Sequence, residues 1–183
     1  MRWDELFDDL AGEAAALDFA ERAAEVAERT RAEVGQIDLV SRIRPAVGGS
    51  VKVRCRGGLQ LSGRLSRVGP DWLLLDEDAG REALLPVAAV VFIGGLGRLS
   101  AAPGSEGVVG ARLGLRSALR AVARDRSVVA AHLVDGPVLS GTLDRVGADF
   151  VELAGHPSGE WRRSGEVREA AAIPFGALVA VRR

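Results

Sequence analysis

Shifting the chain by 78 residues lays LSGRLSRVGPDWLLL (61–75) on LSGTLDRVGADFVEL (139–153) without a gap. The matched positions include Leu61/Leu139, Ser62/Ser140, Gly63/Gly141, Leu65/Leu143, Arg67/Arg145, Val68/Val146, Gly69/Gly147, Asp71/Asp149 and Leu75/Leu153. Upstream, Val51 meets Val129 and Gly58 meets Gly136. The second copy then has ten extra residues within 155–169. After them LLPVAAVVFI (84–93) meets AIPFGALVAV (172–181), with Pro86 on Pro174. The chain is a duplication, so whatever fold it takes must hold two related units.

Each copy reads as a short helix followed by five strands. The helices fall at 37–46 and 113–124. The strands of the first copy fall at 51–56, 59–68, 71–77, 81–86 and 88–93, and those of the second at 128–134, 137–146, 149–154, 168–174 and 176–182. Val51, Val53 and Cys55 alternate with Lys52, Arg54 and Arg56, the period of a strand with one buried face. Gly57-Gly58 and Asp135-Gly136 predict hairpin turns, because those residues tolerate positive φ. VVFIGG and ALVAV are apolar at every position, which predicts burial on both sides. Residues 95–112, rich in Gly, Ser and Ala, read as the linker between copies.

Residues 2–34 predict a long helix. Trp3, Leu6, Phe7, Leu10, Ala14, Leu17, Ala20, Ala24, Ala27 and Val34 follow one helical face, and Gly35 marks its end. Residues 1–35 hold ten acids and four arginines, a balance of −6, against +5 for the rest of the chain. Such a helix is marginal in water by itself. It is expected to join two chains through Trp3, Leu6, Phe7 and Leu10, or to pack on its own body. No apolar run approaches the ~18 residues of a membrane span. The acidic N-terminus lacks the apolar stretch of a secretory signal. The expected chain is therefore soluble and cytoplasmic.

A short helix, five short strands, a glycine in the first hairpin and Gly-x-Leu in the second strand resemble the Sm/LSm small barrels, whose bacterial relative is Hfq, and SH3-like barrels. The residues that carry the likeness are Val51-x-Val53 with Gly58, Gly63-Arg64-Leu65, and Asp71 before Leu73-Leu74-Leu75. In the second copy they are Gly136, Gly141-Thr142-Leu143, and Asp149 before Val151. The whole chain is also similar to a family of high-GC Gram-positive bacteria. The resemblance implies a mainly β fold with an N-terminal helix (α+β) and two tandem five-stranded small barrels, each led by a short helix. Its parts would be an acidic helix (1–35), a first barrel (36–94), a linker (95–112) and a second barrel (113–183). Barrels of ~55 residues bury too little surface to stand alone, so the two should pack together. The family reads RNA bases with an Asn in the third strand and an Arg-Gly at the last turn. This chain has no Asn, and its last turns are Leu85-Pro86-Val87 and Ile173-Pro174-Phe175.

Lys52, Arg54, Arg56, Arg64 and Arg67 make a compact basic cluster of the kind that contacts phosphates, and are the candidate RNA-binding residues. Asp76, Glu77, Asp78 and Glu82 lie near enough in sequence to neutralise them. The second copy holds Ala130, His132, Val134 and Thr142 where the first has Lys52, Arg54, Arg56 and Arg64. Trp72 and Phe150, each after an Asp, are expected to plug a barrel end. Trp161, Arg162 and Arg163 in the insertion are candidate protein contacts, since Trp and Arg are enriched at hot spots.

His132 and His156 have no motif-supported partner for catalysis. The single Cys55 excludes a disulfide framework and a multi-cysteine zinc site, and its place on the apolar side of a strand predicts an inert thiol. No nucleotide-binding or nucleophile motif is present. The expectation is a protein that is not an enzyme, with no cofactor and no metal. It would be an interaction or adaptor module that self-associates through its N-terminal helix and meets a further protein partner. The alternative is single-stranded RNA binding through the first barrel.

Overall fold

The computed structural model describes residues 3–102, 105, 112–155 and 169–183. They form two compact units, one ending at Asp38 and one from Leu39 to Arg183.

The first unit is a single helix, α1 (Trp3–Gly35). Alanine, glutamate and arginine dominate it, all good helix formers. Ion pairs one turn apart, Arg22–Asp18 and Arg29–Glu25, brace its solvent side. Every described side chain of α1 is exposed.

The second unit begins with α2 (Leu39–Ile43), which tightens into a 3-10 turn at Arg44–Ala46. The predicted helix ran from 37 to 46. Pro45 shortens it, because proline has no N–H for the helical ladder. Five strands follow: β1 (Ser50–Cys55), β2 (Gln60–Val68), β3 (Trp72–Asp76), β4 (Glu82–Pro86) and β5 (Val90–Gly94). The second copy opens with α3 (Leu115–Asp125) and continues through β6 (Val128–Leu133), β7 (Val138–Val146), β8 (Phe150–Gly155), β9 (Glu169–Pro174) and β10 (Leu178–Arg182). Gly57 (φ +68°), Gly58 (φ +80°) and Gly136 (φ +105°) sit in the predicted hairpin turns with the positive φ that the sequence reading required.

The fold is mainly β with an N-terminal helix, as expected, but the strands make one open antiparallel sheet rather than two separately closed ones. Its order is β5-β1-β2-β3-β4-β10-β6-β7-β8-β9. The order within the first half is thus repeated in the second, and β4 pairs with β10 where a closed first half would need β5. Val181 lies opposite Leu84, and Arg182 opposite Ala83. Both copies belong to one compact unit.

The two cores use opposite faces of this sheet. Val51, Val53, Leu65, Leu73, Leu75, Ala83 and Leu85 gather with Ile43 under the first half. Leu84, between Ala83 and Leu85, points the other way and joins Leu119, Val129, Ala131, Leu143, Leu153 and Val181. In return Val179 and Ala180 of β10 pack into the first core. Each half therefore completes the other's core, which meets the burial problem of a small unit.

The repeated glycines have a steric cause. A Cβ on Gly63 would lie 2.3 Å from the carbonyl oxygen of Asp76, and one on Gly141 2.2 Å from that of Ala154. At each site β2 or β7 crosses its neighbour too closely for any side chain. Gly69 and Gly147 leave room for rings instead: a Cβ there would lie 2.1 Å from the Trp72 indole and 2.3 Å from Phe150.

Candidate interaction surfaces

The basic cluster assembles in part. Lys52 and Arg54 project from the outer face of β1, opposite Ser62 and Gln60 of β2, and Arg64 stands opposite Ser50. All three cations are exposed. Arg56 continues the row in the turn after β1, and is also exposed. Arg67 leaves the row. After a register shift beyond Leu65 it lies opposite Leu74, on the same sheet face as Arg64 but farther along β2, and lines a groove beside α3.

Sequence reading missed an aromatic on this face. Phe92 of β5 lies opposite Arg54, whose guanidinium carbon is 6.0 Å from the ring centroid. The ring reaches over Gly94, where a Cβ would be 3.1 Å from its Cζ. VVFIGG was expected to be buried on both faces, and this is corrected: Val91 and Phe92 are 57% and 54% exposed. Only the repeat equivalents in β10, Val179 and Ala180, are fully buried, at 1% and 0%. The difference lies in position, since β10 has neighbours on both sides whereas β5 ends the sheet. Composition cannot distinguish an edge from a centre.

The acids expected to neutralise the basic face are partly drawn elsewhere. Glu77 accepts two hydrogen bonds from Arg182, at 2.9 and 3.0 Å. Glu82 pairs with Arg183 at 2.5 Å, and Arg183 also reaches Asp125 at the end of α3, at 2.8 Å. Among the described residues no carboxylate lies within ion-pair distance of Lys52, Arg54, Arg56 or Arg64.

The divergence of the second copy at these positions follows from the junction. Thr142 and Ala180 are buried, and the Gly57 turn of the first half touches the carbonyl oxygen of Val134. A Cβ on Gly57 would come within 2.9 Å of that oxygen. His132 is held below its usual pKa by burial and by Arg182, with Glu77 opposing. A cation at half-buried Ala130 would lose solvent here, whereas Lys52 keeps it.

Trp72 and Asp71 hold α3 in place. The indole Nε1 donates to the carbonyl of Leu113 at 2.6 Å, and an Asp71 carboxylate oxygen accepts the N–H of Leu115 at 2.6 Å. Trp72 is thus a half-buried wall and anchor, not a plug. It borders a groove of about 870 Å³ between α3 and the sheet, floored by Leu74, Leu84, Val129 and Val181 and edged by Arg67 and Arg124.

On α1, Trp3, Phe7 and Leu10 are exposed along one stripe, and the rings of Trp3 and Phe7 are 6.5 Å apart. The side chain of Leu6 lies outside the described residues, as do Trp161, Arg162, Arg163 and His156. Cys55 is buried, and burial pushes its thiol up to about 11, the inert state expected. Among the described residues no three His, Cys, Asp or Glu side chains are grouped to share a metal ion, and no helix is long and apolar enough to cross a membrane.

Protein-family models, curated proteins and solved structures contain no match to this chain.

Proposed function

We propose that the chain is a non-catalytic interaction module of the cytoplasm, self-associating through α1 and built from a duplicated, diverged unit of Sm/SH3-like type. The observation that carries this reading is the exposure of Trp3, Phe7, Leu10 and Leu17 along one helix. Full burial of such a side chain is worth about 1.5–3 kcal/mol, and a helix exposing all of them forgoes that gain. A second helix supplies it, and the alanines at 14, 20, 24 and 27 allow close approach. The repeated strand order supports the small-barrel part of the reading. The Trp161-Arg162-Arg163 segment is the candidate contact for a further protein.

The test is sedimentation velocity on the full chain and on a Trp3→Ser/Phe7→Ser/Leu10→Ser variant. The reading expects a concentration-dependent mass above that of a monomer, lost in the variant. A wild-type monomer at every concentration overturns it.

A second reading is favoured by one observation: Lys52, Arg54, Arg56 and Arg64 share a solvent-facing surface with an exposed Phe92. An aromatic beside free cations is what single-stranded RNA uses for stacking and phosphate contact. Fluorescence anisotropy with a mixed-sequence RNA tests it. Affinity should fall with salt, and fall further when Lys52, Arg54 and Arg64 become Gln. Arg67→Gln, on the groove, should change little. Absence of binding at low salt removes this reading.

A further inference from the structure

The groove between α3 and the sheet is held open at both ends. At the start of the helix Trp72 donates to the carbonyl of Leu113 and Asp71 accepts the N–H of Leu115. At its end Asp125 accepts from Arg183, the residue after β10, at 2.8 Å. Between these ties α3 lines the groove with Ala118 and Ala121, whose side chains are too short to fill the space beside Leu74 and Leu84. The space is therefore preformed. Its 870 Å³ falls within the roughly 300–1,000 Å³ of small-molecule sites. It lies wholly in the second unit, and nothing about it depends on how α1 associates.

The lining separates a chain site from a head site. Leu74, Leu84, Val129 and Val181 make an aliphatic floor. Four arginines and two carboxylates also line the groove, an excess of positive charge. Glu82 is already paired with Arg183, which leaves Arg67, Arg120 and Arg124 against Asp76 alone. Among the described residues no carboxylate lies within ion-pair distance of those three arginines. A cleft with one sign of charge over apolar walls concentrates ligands of the other sign. Arg120 and Arg124 are one turn apart on α3, so both can reach one anion, and guanidinium meets carboxylate in strong paired hydrogen bonds.

We propose that this groove binds a free aliphatic carboxylate, its chain on the floor and its head at Arg120 and Arg124, with Arg67 adding charge from β2. An extended peptide would bury backbone N–H and C=O groups against a floor that offers them no side-chain partner. An aliphatic chain brings no such groups. The internal repeat supports the same chemistry. The 78-residue shift lays Arg120 on Arg42 and Ala121 on Ile43. In the first half Ile43 is fully buried, and Arg42 donates to the carbonyl oxygens of Gly97 and Leu99, next to Leu96, which packs on the first core. That arginine position thus takes acceptor oxygens beside an aliphatic group. In the second half Ala121 is exposed, and the groove stands in place of the isoleucine.

Calorimetric titration of the full chain with monomeric dodecanoate tests the site. Saturable one-to-one binding in the micromolar range is expected. Dodecanol has the same chain without the charge, and should bind about tenfold more weakly or worse, the worth of a charge-assisted hydrogen bond. Arg120→Gln/Arg124→Gln should weaken dodecanoate by a similar factor, and so should Ala121→Phe, which puts a ring into the groove. All three positions are exposed, and circular dichroism checks each fold. Where Ala121→Phe does not fold, the arginine pair decides. The Trp3→Ser/Phe7→Ser/Leu10→Ser variant should bind dodecanoate as the wild type does. Absence of binding, equal affinity for dodecanol, or unchanged affinity in the arginine variant overturns the proposal. Loss of binding in the α1 variant overturns it too, by moving the ligand to the helix stripe. Adsorption to phosphatidylglycerol vesicles without binding of monomeric dodecanoate makes the groove a membrane contact, and overturns the free ligand.

Discussion

Arg182 and Glu77 stand 105 residues apart in the chain and share two hydrogen bonds across the seam where the copies meet. The Glu77 side chain is 7% exposed and that of Arg182 24%. A paired charge removed from solvent costs little while both partners remain, and much when one is lost. Arg182→Ala is expected to destabilise the chain by about 2–4 kcal/mol in urea unfolding. Replacing both with Gln should cost less than either single change. Equal additive losses would show that the two do not act as a pair.

Asp71 joins the halves in a second way, by accepting the first free N–H of α3. Losing such a cap costs about 1 kcal/mol. Asp71→Ala is expected to lower the urea midpoint by that amount, and Asp71→Asn, which keeps an acceptor, by less.

Gly63 and Gly141 predict the largest effect of any conservative change. An alanine Cβ would enter backbone carbonyls at 2.3 and 2.2 Å. Overpacking against backbone typically costs 1–3 kcal/mol, and little can yield at these crossings. Gly63→Ala and Gly141→Ala are each expected at about 3 kcal/mol or above, measured by urea unfolding. By contrast Gly12→Ala, with nothing within 4 Å, should leave the body unchanged.

His132 gives a pH dependence of definite sign. Its folded pKa lies below the unfolded value of 6.5, through burial first and Arg182 second. The unfolded chain therefore binds a proton that the folded chain resists, and stability is lost as pH falls through 6.5 and below the folded value. Unfolding midpoints should drop between pH 7 and 5 in the wild type, and drop less in His132→Gln.

Cys55 behaves in the opposite sense. Burial raises its folded pKa to about 11 from the ordinary thiol value of 9.0. Its contribution is complete below pH 9 and is lost as pH rises from 9 toward 11. At pH 8 a thiol-specific disulfide reagent should label it only through opening of β1, and rapidly in urea.

The repeat made most of this fold legible. Leu61–Leu75 on Leu139–Leu153 located the hairpins, and the alternation from Val51 to Cys55 gave the buried face of β1. What the sequence could not show is which strands become edges. VVFIG and LVAVR read alike, yet one ends the sheet and the other lies at its centre. For the same reason Phe92 was missed as a member of the basic face. The acids Glu77 and Glu82 were expected near Lys52 and Arg54 because sequence distance was the only guide. Their partners Arg182 and Arg183 come from the far end of the chain. Arg67 was grouped with the cluster because it shares a strand with Arg64; it lies opposite Leu74 after a register shift and lines the groove beside α3 instead.

Hydrogen exchange at low and high protein concentration tests the central claim most directly. A lone helix with its apolar stripe in water exchanges fast, whereas one paired with a second helix is protected. The account predicts that amides of α1 slow markedly as concentration rises, while those of β2, β3 and β7 stay constant. Exchange in α1 that does not depend on concentration would contradict it.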